Sequence, residues 1–100
     1  MCGIVGSFSN KSISDEIINS MIYSLNHRGP DFNDYYINNK YNLFIGHTRL
    51  SILDISQNAN QPITSNDGRY ILSYNGEIYN FLKLKKELNN NFDIKWKGNG

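Results

Sequence analysis

Apolar residues recur at spacings of three and four along residues 13–25 of this 100-residue chain. This spacing places them on one face of a helix, and it predicts an amphipathic helix there. Ser12 or Ser14 can cap its start, and Gly29 with Pro30 supplies stop signals that predict an end near His27. The apolar positions of this predicted helix are Ile13, Ile17, Ile18, Met21, Ile22 and Leu25.

Short apolar runs bounded by turn residues predict strands elsewhere in the chain. The predicted strands cover residues 3–8, 35–37, 43–47, 69–74 and 92–96, and a further extended segment covers residues 50–55. A turn at residues 38–40 joins two of these strands, and residues 58–67 are predicted to form a polar loop. A second helix is predicted over residues 81–88 with Asn80 as its cap. This order of elements favours a layered α/β or α+β domain.

Composition narrows the function classes. Hydrophobic residues make up 39% of the chain and the formal net charge is +1, which indicates one globular domain and gives no case for a nucleic-acid partner. No apolar run has the roughly 18 residues of a membrane span, and the N-terminus lacks the regions of a signal peptide. A single cysteine points to a reducing compartment, so we expect a cytoplasmic protein without a disulfide. No metal site is predicted.

The cysteine itself, Cys2, directly follows the initiator Met1. Removal of Met1 would give Cys2 a free α-amine beside its thiol. Such an amine has a pKa of roughly 7.7–8.0, so a useful fraction is neutral at neutral pH and can take the thiol proton. Nucleophile and base are then delivered by one residue, as in N-terminal threonine enzymes.

Three further motifs accompany the one that begins at Cys2. The four are residues 2–6 (CGIVG), 27–31 (HRGPD), 46–52 (GHTRLSI) and 74–80 (YNGEIYN). In this order and spacing the chain resembles class II glutamine amidotransferases, the N-terminal-nucleophile glutaminase domains. The third motif is similar to the asparagine synthetase branch, because Leu50 follows the arginine where sugar-phosphate and purine-pathway members tend to carry an aromatic residue.

The resemblance implies a role for each motif residue. Cys2 would attack the side-chain amide of glutamine, and Arg49 would bind the α-carboxylate with its guanidinium fork. Asn75 and Gly76 would stabilise the oxyanion, and Glu77 would face the α-ammonium group. Residues lining the same pocket would be Leu50, Ser51, Ile52 and Leu53.

These positions also have ordinary explanations. Residues 50–53 are compatible with a buried strand, residues 75–76 are a strong hairpin-turn signal, and Glu77 could face solvent. His27 and His47 are interpreted as structural, with His27 in the last helical turn, where the helix dipole favours it. The resemblance also implies a second acid for the ammonium group, just past Gly100.

On this resemblance the expected fold is α+β, a four-layer αββα sandwich of the N-terminal-nucleophile type, with residues 1–100 as roughly its first half. A synthetase domain elsewhere in the polypeptide would use ATP and Mg²⁺ to amidate aspartate with the released ammonia. Two alternatives stay open: an amidotransferase with a sugar or peptide acceptor, and a truncated module that is inactive alone. A homodimer is also left open.

Overall fold

A three-stranded antiparallel sheet forms the centre of the computed structural model, which describes residues 1–52 and 56–97. Its strands are β1 (Gly3–Phe8), β2 (Phe32–Asn38) and β3 (Leu43–Arg49), in the spatial order β1-β3-β2. β3 pairs with β2 along its whole length and with β1 from Leu43 to Thr48. The predicted strands at 35–37 and 43–47 are therefore confirmed and extended, and 3–8 is confirmed as predicted.

Helix α1 (Asp15–Ser24) packs on one face of this sheet. The hydroxyl of Ser14 accepts a hydrogen bond from the Ile17 amide at 3.4 Å, so Ser14 caps the helix. The buried core consists of Ile18 and Ile22 from the helix and Phe44 from β3. Because side chains alternate along a strand, Phe44 and Thr48 face α1 whereas His47 and Arg49 face the opposite side.

The helix ends earlier than its predicted end near His27. The amide of Leu25 donates to the carbonyl of Ile22, and the next amide likewise bonds three residues back, to Tyr23, which tightens the chain into 3₁₀-like turns. His27 therefore lies beyond the last helical turn, and the dipole interaction predicted for it is wrong.

A second, two-stranded sheet follows. It contains β4 (Ile63–Thr64) and β5 (Ile71–Leu72), paired antiparallel, and it is preceded by a 3₁₀ turn at Gln57–Ala59. The predicted loop 58–67 thus contains a strand, and the predicted strand 69–74 shrinks to two residues. The tight turn of this hairpin is near Gly68, whose φ of 71° favours glycine.

Helix α2 (Phe81–Asn91) extends the predicted 81–88 helix at its end. Asn80 occupies the N-cap position, but its side chain makes no capping hydrogen bond. The predicted strand 92–96 is wrong: these residues are irregular, because no neighbouring strand in the described parts of the chain pairs with them. A hairpin turn at residues 75–76 is also absent, since Gly76 has no positive φ and no paired strand follows it among the residues up to 97 that the structure describes.

The architecture is α+β with antiparallel sheets, as predicted at that level. The predicted extended segment 50–55 is described only over residues 50–52, which form no strand, and the remainder lies outside the described residues. Within residues 1–52 and 56–97, no helix has the length and apolar character needed to cross a lipid bilayer.

Candidate active site

An open cleft of about 1210 Å³ lies where β3 ends. One part of its wall is formed by Cys2, Arg49, Leu50 and Ile52, and another by Asn75, Gly76 and Glu77. Residues more than seventy positions apart in sequence therefore meet at one opening. The structure brings together seven of the site residues predicted from the motifs.

Strand pairing places Cys2 at this cleft. Gly3 pairs with Thr48, so the residue before β1 lies beside the end of β3. The Cys2 thiol points toward the carbonyl oxygen of Leu50 with an S···O distance of 3.9 Å, and the Cys2 carbonyl accepts from Arg28 Nε at 3.1 Å. The thiol is half-buried. Cys2 therefore makes contacts with both the second and the third motif.

The second motif packs directly against the third. A Cβ at Gly29 would lie 2.4 Å from the Thr48 carbonyl carbon, so only glycine allows this approach of the two main chains. Asp31 donates its amide to the Arg49 carbonyl at 3.0 Å, and its carboxylate accepts from the Ser51 amide at 2.7 Å. Sequence reasoning assigned no role to Asp31, although the motif that contains it was recognised.

Arg49 is almost fully buried, with 6% of its surface exposed. Its Nη1 donates to the Ser56 carbonyl at 2.7 Å and to Asn60 Oδ1 at 2.6 Å. These two acceptors fix the plane of the guanidinium group at the cleft wall, which is what bidentate recognition of a carboxylate needs. Asn60 was not predicted, because nothing near it in sequence marks it as an acceptor for Arg49.

Residues 50–53, which follow Arg49, are predicted to line the pocket, but not all of them are found there. Leu50 and Ile52 line the cleft, with Ile52 largely exposed. Ser51 is not among the residues lining the described cleft, and its amide is engaged by Asp31. Leu53 lies outside the described residues.

The opposite wall is an exposed segment that follows β5. Asn75, Gly76 and Glu77 are all exposed there, and the preceding amide of Tyr74 donates to Gln61 Oε1 at 2.6 Å. This bond fixes the start of the segment to the chain beside the cis Gln61–Pro62 peptide. After Asp31 and Asn60, Gln61 is a third residue whose contribution the sequence alone did not reveal.

His47 also lines the cleft, and none of its surface is exposed. Neither ring nitrogen has a hydrogen-bond partner among the described residues. Burial lowers the pKa of His47 below its ordinary 6.5, the Tyr74 main chain partly opposes this, and the Arg49 charge lowers the pKa further. The imidazole is therefore neutral at neutral pH. Across the described ranges, no group of three His, Cys, Asp or Glu side chains could hold a metal ion.

Comparison with known proteins identifies the family to which this chain belongs. A model of the glutamine amidotransferase domain matches residues 1–100. The chain belongs to the glutamine amidotransferase domain family. The amidotransferase domain is 38% identical over 93 residues to asparagine synthetase 1 (glutamine-hydrolyzing) of Bacillus subtilis, covering 88% of this chain and 14% of that protein.

Two further relatives carry the same kind of name. Asparagine synthetase 1 (glutamine-hydrolyzing) of Saccharomyces cerevisiae is 40% identical over 89 residues, which covers 87% of this chain and 15% of the yeast protein. Asparagine synthetase B (glutamine-hydrolyzing) of Escherichia coli is 33% identical over 98 residues, covering 95% of this chain and 17% of that protein. The chain thus spans less than a fifth of the length of these three relatives.

Proposed function

We propose that this amidotransferase domain hydrolyses glutamine through a thioester on Cys2 and supplies ammonia for the amidation of aspartate. The observation that carries the proposal is the convergence of Cys2, Arg49 and the 75–77 segment on one cleft. A nucleophile, a carboxylate-binding cation and two candidate oxyanion donors are the groups that hydrolysis of a side-chain amide requires.

The proposed reaction uses the N-terminal residue as one catalytic unit. After removal of Met1, the free α-amine of Cys2 takes the thiol proton, and the sulfur attacks the side-chain amide carbon of glutamine. The C–N bond then breaks, ammonia leaves with that proton, and a γ-glutamyl thioester remains. Water hydrolyses the thioester to glutamate and restores the thiol.

Binding of the donor would rest on opposite charges across the cleft. The guanidinium of Arg49 would hold the α-carboxylate, and Glu77 on the opposite wall would attract the α-ammonium. The Asn75 side-chain amide and the Gly76 N–H would donate to the oxygen that becomes negative as sulfur attacks. Losing one such donor typically costs about 2.7–4 kcal/mol of transition-state stabilisation.

A Cys2→Ala variant of the protein expressed from its complete gene tests this function. We expect glutamine hydrolysis and glutamine-dependent synthesis of asparagine to be lost, while synthesis from added ammonia continues. The ammonia reaction is the internal control, because it requires a folded protein but no thiol. Hydrolysis of glutamine by Cys2→Ala at the rate of the unchanged protein would contradict the proposal.

The larger architecture belongs to the same proposal. The sheet face opposite α1 exposes Ile4 and Phe8, by 44% and 77% of their surfaces. An apolar sheet face needs a covering layer, and a second sheet on this side would give the αββα sandwich. The relatives' greater length supports a further domain in the same polypeptide. We propose that this domain is a synthetase that uses ATP and Mg²⁺, and that the protein is cytoplasmic.

A further inference from the structure

The imidazole of His47 is a fully buried titratable group at the described cleft, and the proposed reaction gives it no role. A fully buried polar group without a partner typically costs about 1–3 kcal/mol. His47 carries two such nitrogens, and both lie beneath the cleft that Cys2 and Asn75 border. A group that supplies a partner must therefore come from the cleft side.

The surroundings of the ring identify that group. Ile4 on β1 and Asp34 on β2 pair with His47 in register, and Arg49 lies two residues farther along the same face. A cationic guanidinium offers no acceptor, and the Asp34 carboxylate is exposed and accepts from the Tyr35 amide. Tyr74 lines the same cleft, and because its amide donates to Gln61, its carbonyl is the main-chain group that can accept from the ring. The direction in which this main chain moves the pKa of His47, upward, agrees with an accepting carbonyl.

We propose that His47 is a positioning residue that holds the Tyr74 carbonyl and thereby aims the Asn75 and Gly76 donors at the oxyanion. His47 and Tyr74 line the same cleft, and in the described residues no hydrogen bond joins the ring to this main chain. Filling of the cleft by the amide substrate completes the bond. Because the Tyr74 amide already donates to Gln61, both the amide and the carbonyl of Tyr74 are then fixed by hydrogen bonds.

This inference rests on the proposed glutaminase function, and one of its tests does not. In the protein from the complete gene, His47→Leu removes both nitrogens at similar volume, whereas His47→Asn and His47→Gln each supply a neutral side-chain NH₂ group as donor. His27→Leu is the matched control, because His27 is the exposed second histidine. Steady-state glutamine hydrolysis is measured for each variant, and so is deuterium uptake by peptides covering residues 74–77 with a glutamine analogue bound.

We expect His47→Leu to lower kcat about 10–100-fold while KM for glutamine changes less than about threefold. The reason is that the oxyanion donors lose their orientation, whereas the groups that bind glutamine are unchanged. One of the two amide variants should restore most of kcat. Deuterium uptake at residues 74–77 should rise in His47→Leu, return in the rescuing variant, and stay unchanged in His27→Leu.

Unchanged deuterium uptake at residues 74–77 in His47→Leu would overturn the proposal even if glutamine is hydrolysed. A raised KM with an unchanged kcat in the same variant would also overturn it. If the unchanged protein does not hydrolyse glutamine, only the proposed function fails, and the uptake measurement still decides the role of His47. If His47→Leu does not fold, ¹⁵N NMR of the unchanged protein decides: binding of a glutamine analogue should fix one ring tautomer, and continued tautomer averaging would contradict the role.

Discussion

At position 49, the two acceptors of the guanidinium set its orientation toward the cleft. Arg49→Lys would lose at least one of the bonds to Ser56 and Asn60, together with the planar fork. Bonds to charged groups contribute about 1.5–3 kcal/mol, so we expect KM for glutamine to rise about 10–150-fold in steady-state assays. Arg69→Lys is the control, because Arg69 is exposed and lies over Tyr70. An unchanged KM in Arg49→Lys would exclude carboxylate binding by this residue.

At position 29, the absence of a side chain is required by the packing of two main chains. An alanine Cβ would lie 2.4 Å from the Thr48 carbonyl carbon and oxygen, and backbone cannot rotate away. We expect Gly29→Ala to lower the free energy of unfolding by at least about 2 kcal/mol in urea denaturation. Gly6→Ala, whose nearest atom would be at 3.1 Å, should cost less. Equal losses in the two variants would contradict this explanation.

The lowered pKa of His47 has a consequence for stability against pH. The unfolded chain protonates this histidine near its ordinary 6.5, whereas the folded protein resists protonation because the ring is buried. The unfolded state therefore binds more protons, and stability should fall as pH drops below about 6.5. Urea midpoints measured from pH 8 to 5 should decline less for His47→Gln. Equal pH dependence of the two proteins would show that His47 does not contribute.

Individual residues differ in how visible their roles are in the sequence. Cys2 could be selected because its chemistry follows from its position, and Arg49 because its motif resembles a known family. Asp31 and Gln61 could not, since each acts through a bond from its side chain to a main-chain amide far along the chain. Such bonds exist only after the strands have brought those segments together.

At the level of elements, the two helices differ in how their starts are held. Ser14 caps α1 through its side chain, whereas Asn80 makes no such bond at α2. We expect Ser14→Ala to cost about 1 kcal/mol of unfolding free energy and Asn80→Ala at most a few tenths. Thermal or urea unfolding of the two variants measures this difference. A larger loss for Asn80→Ala would contradict the assigned caps.

Elements were predictable where one face of a segment is buried against a neighbour. The α1 spacing and the apolar runs of β1 and β3 reflect such burial. These elements form at the predicted places, although α1 ends earlier and β3 extends to Arg49. Residues 92–96 carry the residue types of a strand but have no paired neighbour in the structure. A strand depends on its partner's hydrogen bonds, which local sequence does not specify.

Across the whole molecule, strand pairing and packing join four short motifs into one site. The second motif touches the third through Gly29 and Asp31, and β1 carries Cys2 to the same edge. The fourth motif forms the opposite wall of the cleft. Family membership accounts for the motifs, and the packing brings Cys2 and residues of the third and fourth motifs to one cleft.

Mass spectrometry of the intact protein and of its peptides tests the role of Cys2 most directly. The protein from its complete gene is first allowed to react with a glutamine analogue that carries an electrophile at the side-chain carbonyl position. The predicted result is loss of Met1 and a single adduct on Cys2, with glutaminase activity lost in proportion to labelling. A protein that keeps Met1 and still hydrolyses glutamine, or that is inactivated without modification of Cys2, would contradict an N-terminal thiol and amine acting together.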